Sequence, residues 1–118
     1  MNGYAPGNLL GQARLSNTTA AALYTAVVRT EITRLIVANT TGSAATFRLF
    51  HDEGGSSYSE SNALIWDFSI DSGAFFDSLQ SYNTGNGITL VPTDTLGIRS
   101  GTGNALTFSV YGVLSGVR

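Results

Sequence analysis

The sequence has no cysteine, only two prolines and a single tryptophan. Lysine is also absent, so all six cations are arginines. Without cysteine there is no disulfide framework, no zinc ribbon and no thiol nucleophile. Charged residues make up 12% of the 118-residue chain, about half the usual share of about 25%. A net charge of −2 offers no broad basic face, which argues against nucleic acid as a partner. Long hydrophobic runs are missing too. The longest mostly apolar stretch, Ala20 to Val28, contains Tyr24 and Thr25 and falls well short of the ~20 residues that span a bilayer. Residues 1–10 carry no cation and no apolar signal core, so the expectation is a soluble chain with no membrane partner and no secretory route.

What is present is apolar: 42% of residues are hydrophobic and the mean hydropathy is +0.11. That content excludes disorder. The length fits one domain. Such a chain buries roughly two-thirds of its extended surface, enough for a core without staples. So apolar a small chain is expected to have part of its surface covered by other protein.

The patterning is that of strands. Only Thr18 to Val28 has any helical character, and a strand over Leu23 to Val28 is preferred there. Elsewhere hydrophobicity alternates with period two. Strands are expected over Glu31 to Asn39, Ala45 to His51, Ala63 to Ile70, Phe75 to Ser81, Ile88 to Val91, Thr95 to Arg99 and Ala105 to Leu114. In Ala63 to Ile70 the alternation sets Leu64, Trp66, Phe68 and Ile70 on one face. Leu96 and Ile98 are expected inward, and Ala105 to Leu114 sets Leu106, Phe108, Val110, Gly112 and Leu114 on one face. Ser100 to Asn104 has the glycines of a hairpin loop. Seven to nine short strands predict an all-β fold: a single antiparallel β-sandwich, with the jelly roll as one such arrangement. Residues 1–10 (MNGYAPGNLL) form an arm outside it, and residues 11–118 the sandwich domain.

Catalytic and metal chemistry find little support. His51 is the lone histidine, followed by Asp52 and Glu53; consecutive strand residues face opposite ways, and zinc wants more His or Cys ligands. The serines lack a strand-turn-helix elbow. A calcium site from Asp67, Asp71 and Asp77 would need their oxygens to converge. The glycine pairs Gly85/Gly87 and Gly101/Gly103 lie between strands, not before a helix. No enzyme activity and no cofactor is expected. Asn17 and Asn39 match glycosylation sequons, which turn chemistry also explains. Tyr58, in the long polar loop Asp52 to Ser61, and Tyr82 are candidates for surface contact. Their partner would be a protein or, as the minor alternative, a glycan.

The sharpest clue is Glu31 to Asn39. Ile32, Ile36 and Ala38 fall on one face and Leu35 and Val37 on the other. Only one face of a sandwich strand points inward, so the face with Leu35 and Val37 is the expected oligomer interface. Arg34 and Arg48 join it, since a planar guanidinium makes bidentate contacts that lysine cannot copy. The arm, with Met1, Tyr4, Pro6, Leu9 and Leu10, is the candidate for reaching a neighbour.

Four segments carry a resemblance: Leu23 to Val27, Leu35 to Arg48, Ile88 to Arg99 and Leu106 to Val113. In order they are similar to the small β-sandwich virion proteins of tailed bacteriophages. Those carry an "L-Y-T-V-P" run, then "V-V-A-N", a Ser/Thr/Gly turn and "T-F-R", later a "G-L-T-L…D-x-L-x-V" hairpin, and end in an "F-S-x-x-G-V" strand. The family's proline is missing here, where the run is Tyr24-Thr25-Ala26-Val27-Val28. The resemblance implies a non-enzymatic virion structural protein, assembled in the host cytoplasm. Most of all it implies a capsid decoration (cement) protein, a homotrimer on the shell with the major capsid protein as partner; the arm is the candidate for reaching the shell or a neighbour. The alternative it implies is a tail, neck or fibre component with a receptor- or glycan-binding role.

Overall fold

The structure is a computed structural model, described here for residues 7–78 and 88–115. Among the described residues nine strands follow one another: β1 (Asn8–Arg14), β2 (Ala21–Thr25), β3 (Thr30–Asn39), β4 (Ala45–Asp52), β5 (Ala63–Ile70), β6 (Phe75–Asp77), β7 (Ile88–Leu90), β8 (Thr95–Ser100) and β9 (Leu106–Leu114). A 3₁₀ turn, Glu60–Asn62, precedes β5. Two antiparallel sheets result. Sheet 1 runs β1-β9-β3-β6, with β7 also on β3, and sheet 2 runs β2-β8-β4-β5. β6 pairs with Ile36 to Ala38 and β7 with Thr30 to Ile32. The two therefore lie end to end along β3 as one interrupted strand. Counted so, the order is 1-8-3-6 over 2-7-4-5, which is jelly-roll order. The all-β sandwich expected from the alternation is what forms.

The chain keeps crossing between the sheets. Ser100 to Asn104 is accordingly not a hairpin: it carries the chain from β8 in sheet 2 to β9 in sheet 1. Its left-handed residue is Asn104, at φ 55°, a conformation that asparagine tolerates well. The loop 53–62 does join neighbours in one sheet, β4 and β5. The strand expected up to Val28 ends at Thr25, because Ala26 turns away to donate its N–H to the Asp94 carbonyl at 2.9 Å.

Where alternation is regular, it predicts burial. Leu96, Ile98, Leu106, Phe108 and Val110 are all fully buried. Phe47 sits at the centre, with ring centroids 5.2 Å from Phe76, 5.9 Å from Phe108 and 5.8 Å from Phe68. Edge-to-face packing of this kind adds about 0.5–1.5 kcal/mol per pair beyond area burial.

Two strands break the alternation. In β3 the register slips between Ile32 and Arg34. A bulge of this kind adds a residue and reverses the parity beyond it. Ile32, Leu35, Val37 and Asn39 therefore share the buried face, while Ile36 and Ala38 look outward, half-buried. In β5 the register slips on either side of Ile65, and Asp67 adopts φ 52°. Ile65 and Ile70 turn inward, whereas Leu64 and Trp66 are exposed. The expected single face of Leu64, Trp66, Phe68 and Ile70 is thus split.

The arm boundary also moves. β1 begins at Asn8 and pairs along β9, so Leu9 and Leu10 belong to the sheet. Leu10 packs against the core and Leu9 is exposed at the sheet edge.

Candidate functional site

Leu35 and Val37 are not a surface. They are 3% and 0% exposed, inside the core, so no neighbouring subunit can touch them; the bulge in β3 is the reason. Arg34 stands on the outer face of sheet 1. Its guanidinium grips the Asp77 carboxylate with two hydrogen bonds, of 3.1 and 2.6 Å. Beside it Gly7, Arg34, Ile36 and Tyr111 line a shallow groove of about 300 Å³.

Arg48 stands on the outer face of sheet 2 and is committed twice. It donates to both Asp67 oxygens, at 2.6 and 3.1 Å, and stacks on Trp66 with its guanidinium carbon 3.5 Å from the ring centre. Arg48 also lies directly opposite Arg99 across the sheet, an unfavourable like-charge pairing. The bulge at Asp67 answers it, because the same carboxylate sits 3.9 Å from Arg99. The hydrogen bond from Arg48 holds the Asp67 carboxyl below its usual range.

Tyr58 is not a free contact residue either. Its ring packs 5.3 Å from Phe50 and covers the backbone of Gly97. Its hydroxyl pairs with that of Thr95 at 2.7 Å. Burial pushes the Tyr58 phenol upward. Tyr58 is thus anchored to sheet 2 through Phe50, Gly97 and Thr95. Met1, Tyr4, Pro6 and Tyr82 lie outside the described residues.

His51 meets Asp94 rather than Asp52 and Glu53. Its Nε2 is 3.0 Å from Asp94 Oδ2. The same carboxylate accepts from the backbone N–H of Val91 and of Gly54, each at 3.2 Å. Asp94 is 4% exposed. The His51 hydrogen bond, helped by those two N–H groups, holds its carboxyl low against the penalty of burial. This is a staple joining the end of β4, the 53–62 loop and the turn before β8. Among the described residues no three His, Asp or Glu side chains gather as a metal site. Asp67 and Asp77 face separate arginines on different sheets. The buried Asn39 spends its side-chain amide on the carbonyls of Ser43 and Ile70, which makes it a loop anchor.

The surface that sequence reasoning missed is the open side of the sandwich, where β5 edges sheet 2 and β6 edges sheet 1. Leu64 is 48% exposed, Trp66 43%, Phe68 40% and Phe75 58%. Phe68 bridges the sheets through Phe76, centroids 5.1 Å apart. Leu64 and Trp66 flank it on the outside of sheet 2. Phe75 pairs with Ala38 and so lies on the outside of sheet 1. A fully buried aromatic covers 150–250 Å², so the four residues of this belt leave roughly 350 Å² of apolar side chain in water, divided between the outsides of the two sheets. The signal was in the sequence: Ala63-Leu64-Ile65-Trp66 is apolar at both parities, which one buried face cannot use. A smaller patch of Val27, Val91 and Leu114 caps one end of the sandwich. There Thr93 N–H reaches the Ala26 carbonyl and Ser115 N–H that of Arg29.

No family model matches the chain, and neither does any curated protein or solved structure.

Proposed function

We propose that this chain is a non-enzymatic structural protein of a bacteriophage virion. In this reading it is a capsid decoration (cement) protein that self-associates on the head, docks on the major capsid protein and stabilises the shell. The observation that carries the assembly half is the apolar belt of Leu64, Trp66, Phe68 and Phe75 on the open side of the sandwich. Large apolar side chains left in water along one side of a small sandwich support an interaction surface there. The virion half is supported by the resemblance of four strand-and-turn segments between Leu23 and Val113. Mechanically, many small contacts repeated over a shell sum to a large resistance. At about 25 cal/mol per Å² of apolar burial, covering the belt removes on the order of 9 kcal/mol per copy before association costs.

Quantitative mass spectrometry of purified particles tests the reading. A decoration protein is present in many copies per head, in proportion to capsomers. A handful of copies would assign it to the neck or tail instead, and absence from particles would end the virion reading. Particles lacking the protein should release their DNA at a lower temperature.

A further inference from the structure

We propose that the groove on the outer face of sheet 1 binds a neutral sugar ring, with Arg34 and Tyr111 as its polar contacts. The proposal goes beyond the reading above and stands apart from it. A guanidinium has five N–H donors in a fixed fork. Asp77 takes the Nε–H and one Nη2–H of Arg34. The far fork, Nη1–H and the second Nη2–H, has no hydrogen-bond partner among the described residues. Arg34 lines the groove with 43% of its side chain exposed. Two donors in a rigid plane call for two neighbouring acceptor oxygens.

Charge selects among the ligands that offer them. The Asp77 carboxylate is buried, with 1% of its side chain exposed, and it already balances the guanidinium. A ligand carboxylate or phosphate would bring a second negative charge to the same cation, in a chain of net charge −2. Two adjacent sugar hydroxyls supply the oxygens without that charge.

The rest of the groove suits a sugar. Tyr111 lies directly opposite Arg34, and Leu9 directly opposite Tyr111, so the three share one face. The Tyr111 hydroxyl has no hydrogen-bond partner among the described residues and can donate to or accept from a further sugar hydroxyl. The Tyr111 ring, Ile36 and the exposed Leu9 offer apolar contact to the C–H face of a pyranose. An apolar lining with a few placed polar groups is the usual make-up of a small-ligand site. At about 300 Å³ the groove is at the small end of such sites, which fits one sugar residue. A guanine base also offers two acceptors to an arginine fork. It would arrive with phosphates, and Arg14, a second cation on this face, is spent on Thr107 and the Asn104 carbonyl.

Saturation-transfer NMR on the purified full chain tests this, with the methyl glycosides of glucose, galactose, mannose and N-acetylglucosamine as probes. At least one should bind with a millimolar dissociation constant and shift the Arg34 Nε–H resonance. Ile36→Trp, which fills the groove, should weaken binding at least about tenfold with unchanged far-UV circular dichroism. Tyr111→Phe, which keeps the ring, should weaken it roughly fivefold. Leu64→Ser, on the other sheet, should leave it unchanged. The proposal is overturned if no glycoside binds, or if either groove variant binds as the wild type does. It is also overturned if Leu64→Ser abolishes binding, or if acetate or guanosine shifts the Arg34 resonance at a lower concentration than any glycoside.

Discussion

Replacing Asp94 by Asn should weaken the fold far more than a turn residue normally would. The Asp94 carboxylate is 4% exposed and receives three hydrogen bonds, from His51 Nε2 and the N–H groups of Val91 and Gly54. Val91 and His51 share one oxygen, while Gly54 has the other. An asparagine amide keeps one oxygen only. Whichever way it turns, its NH₂ faces a backbone N–H, of Gly54 or of Val91, and one buried donor loses its partner. Such a loss costs about 1–3 kcal/mol. The surviving bonds lose their charge assistance, roughly half of their strength. Together these amount to about 3 kcal/mol. For a domain of this size that is a fall of roughly 12 °C in Tm. Urea unfolding of the two proteins side by side measures it. The pH dependence adds a check. The folded carboxyl titrates below its ordinary value, so on acidification the unfolded chain takes up the proton first. The contribution of Asp94 is therefore whole above about pH 4 and declines as the pH falls through the folded value. The deficit of Asp94→Asn should be full at pH 7 and shrink towards pH 3. A deficit below about 1 kcal/mol at pH 7, or one that stays constant on acidification, would refute the staple.

Three further substitutions probe the fold. Thr93 is β-branched and sits at φ 79°, so Thr93→Gly should stabilise by about 0.5–1 kcal/mol, the relief of left-handed strain exceeding glycine's entropy cost; a lower urea midpoint would contradict this. A Cβ at Gly97 would fall within the Tyr58 ring. Gly97→Ala should displace that ring from Phe50 and cost about 1–3 kcal/mol, with a changed near-UV spectrum; an unchanged spectrum counts against it. Leu35→Ala should cost about 2–5 kcal/mol as a core cavity, whereas a change within about 0.5 kcal/mol would return Leu35 to the surface.

The sandwich was legible because most strands keep strict period two. In β8 and β9 the alternation runs through, and Leu96, Ile98, Leu106, Phe108 and Val110 lie in the core, while Leu114, at the end of the same face of β9, is 42% exposed. Parity failed in β3 and β5, and for one physical reason. A bulge costs a strand little but moves every later side chain to the other face, and composition does not mark where it falls. Asp67 carries a faint mark, since aspartate enters the left-handed region more readily than most residues. Long-range side-chain partners were equally hidden. Nothing in the order of residues joins His51 to Asp94, Arg34 to Asp77 or Tyr58 to Thr95, because each pair is made by sheet crossing rather than by spacing.

The logic of the two-faced strand survives its first application. A strand apolar at both parities needs either a bulge or a cover. β3 resolves its excess internally: the slip beside Arg34 brings Ile32, Leu35 and Val37 onto one buried face, and its neighbours β9, β6 and β7 close its flanks. β5 cannot do the same. Among the described residues it has a neighbour on one side alone, and its bulged register turns Leu64 and Trp66 away from the core while Phe68 plugs the open side. An internal remedy would have put Thr or Ser at those positions, as the outward Thr107 and Ser109 of β9 do. The chain holds its charge to 12%, and the one charge on β5, Asp67, is paired with Arg48. Aromatic and, among the described residues, unpaired on one side, β5 is where the apolar excess of the composition comes to the surface.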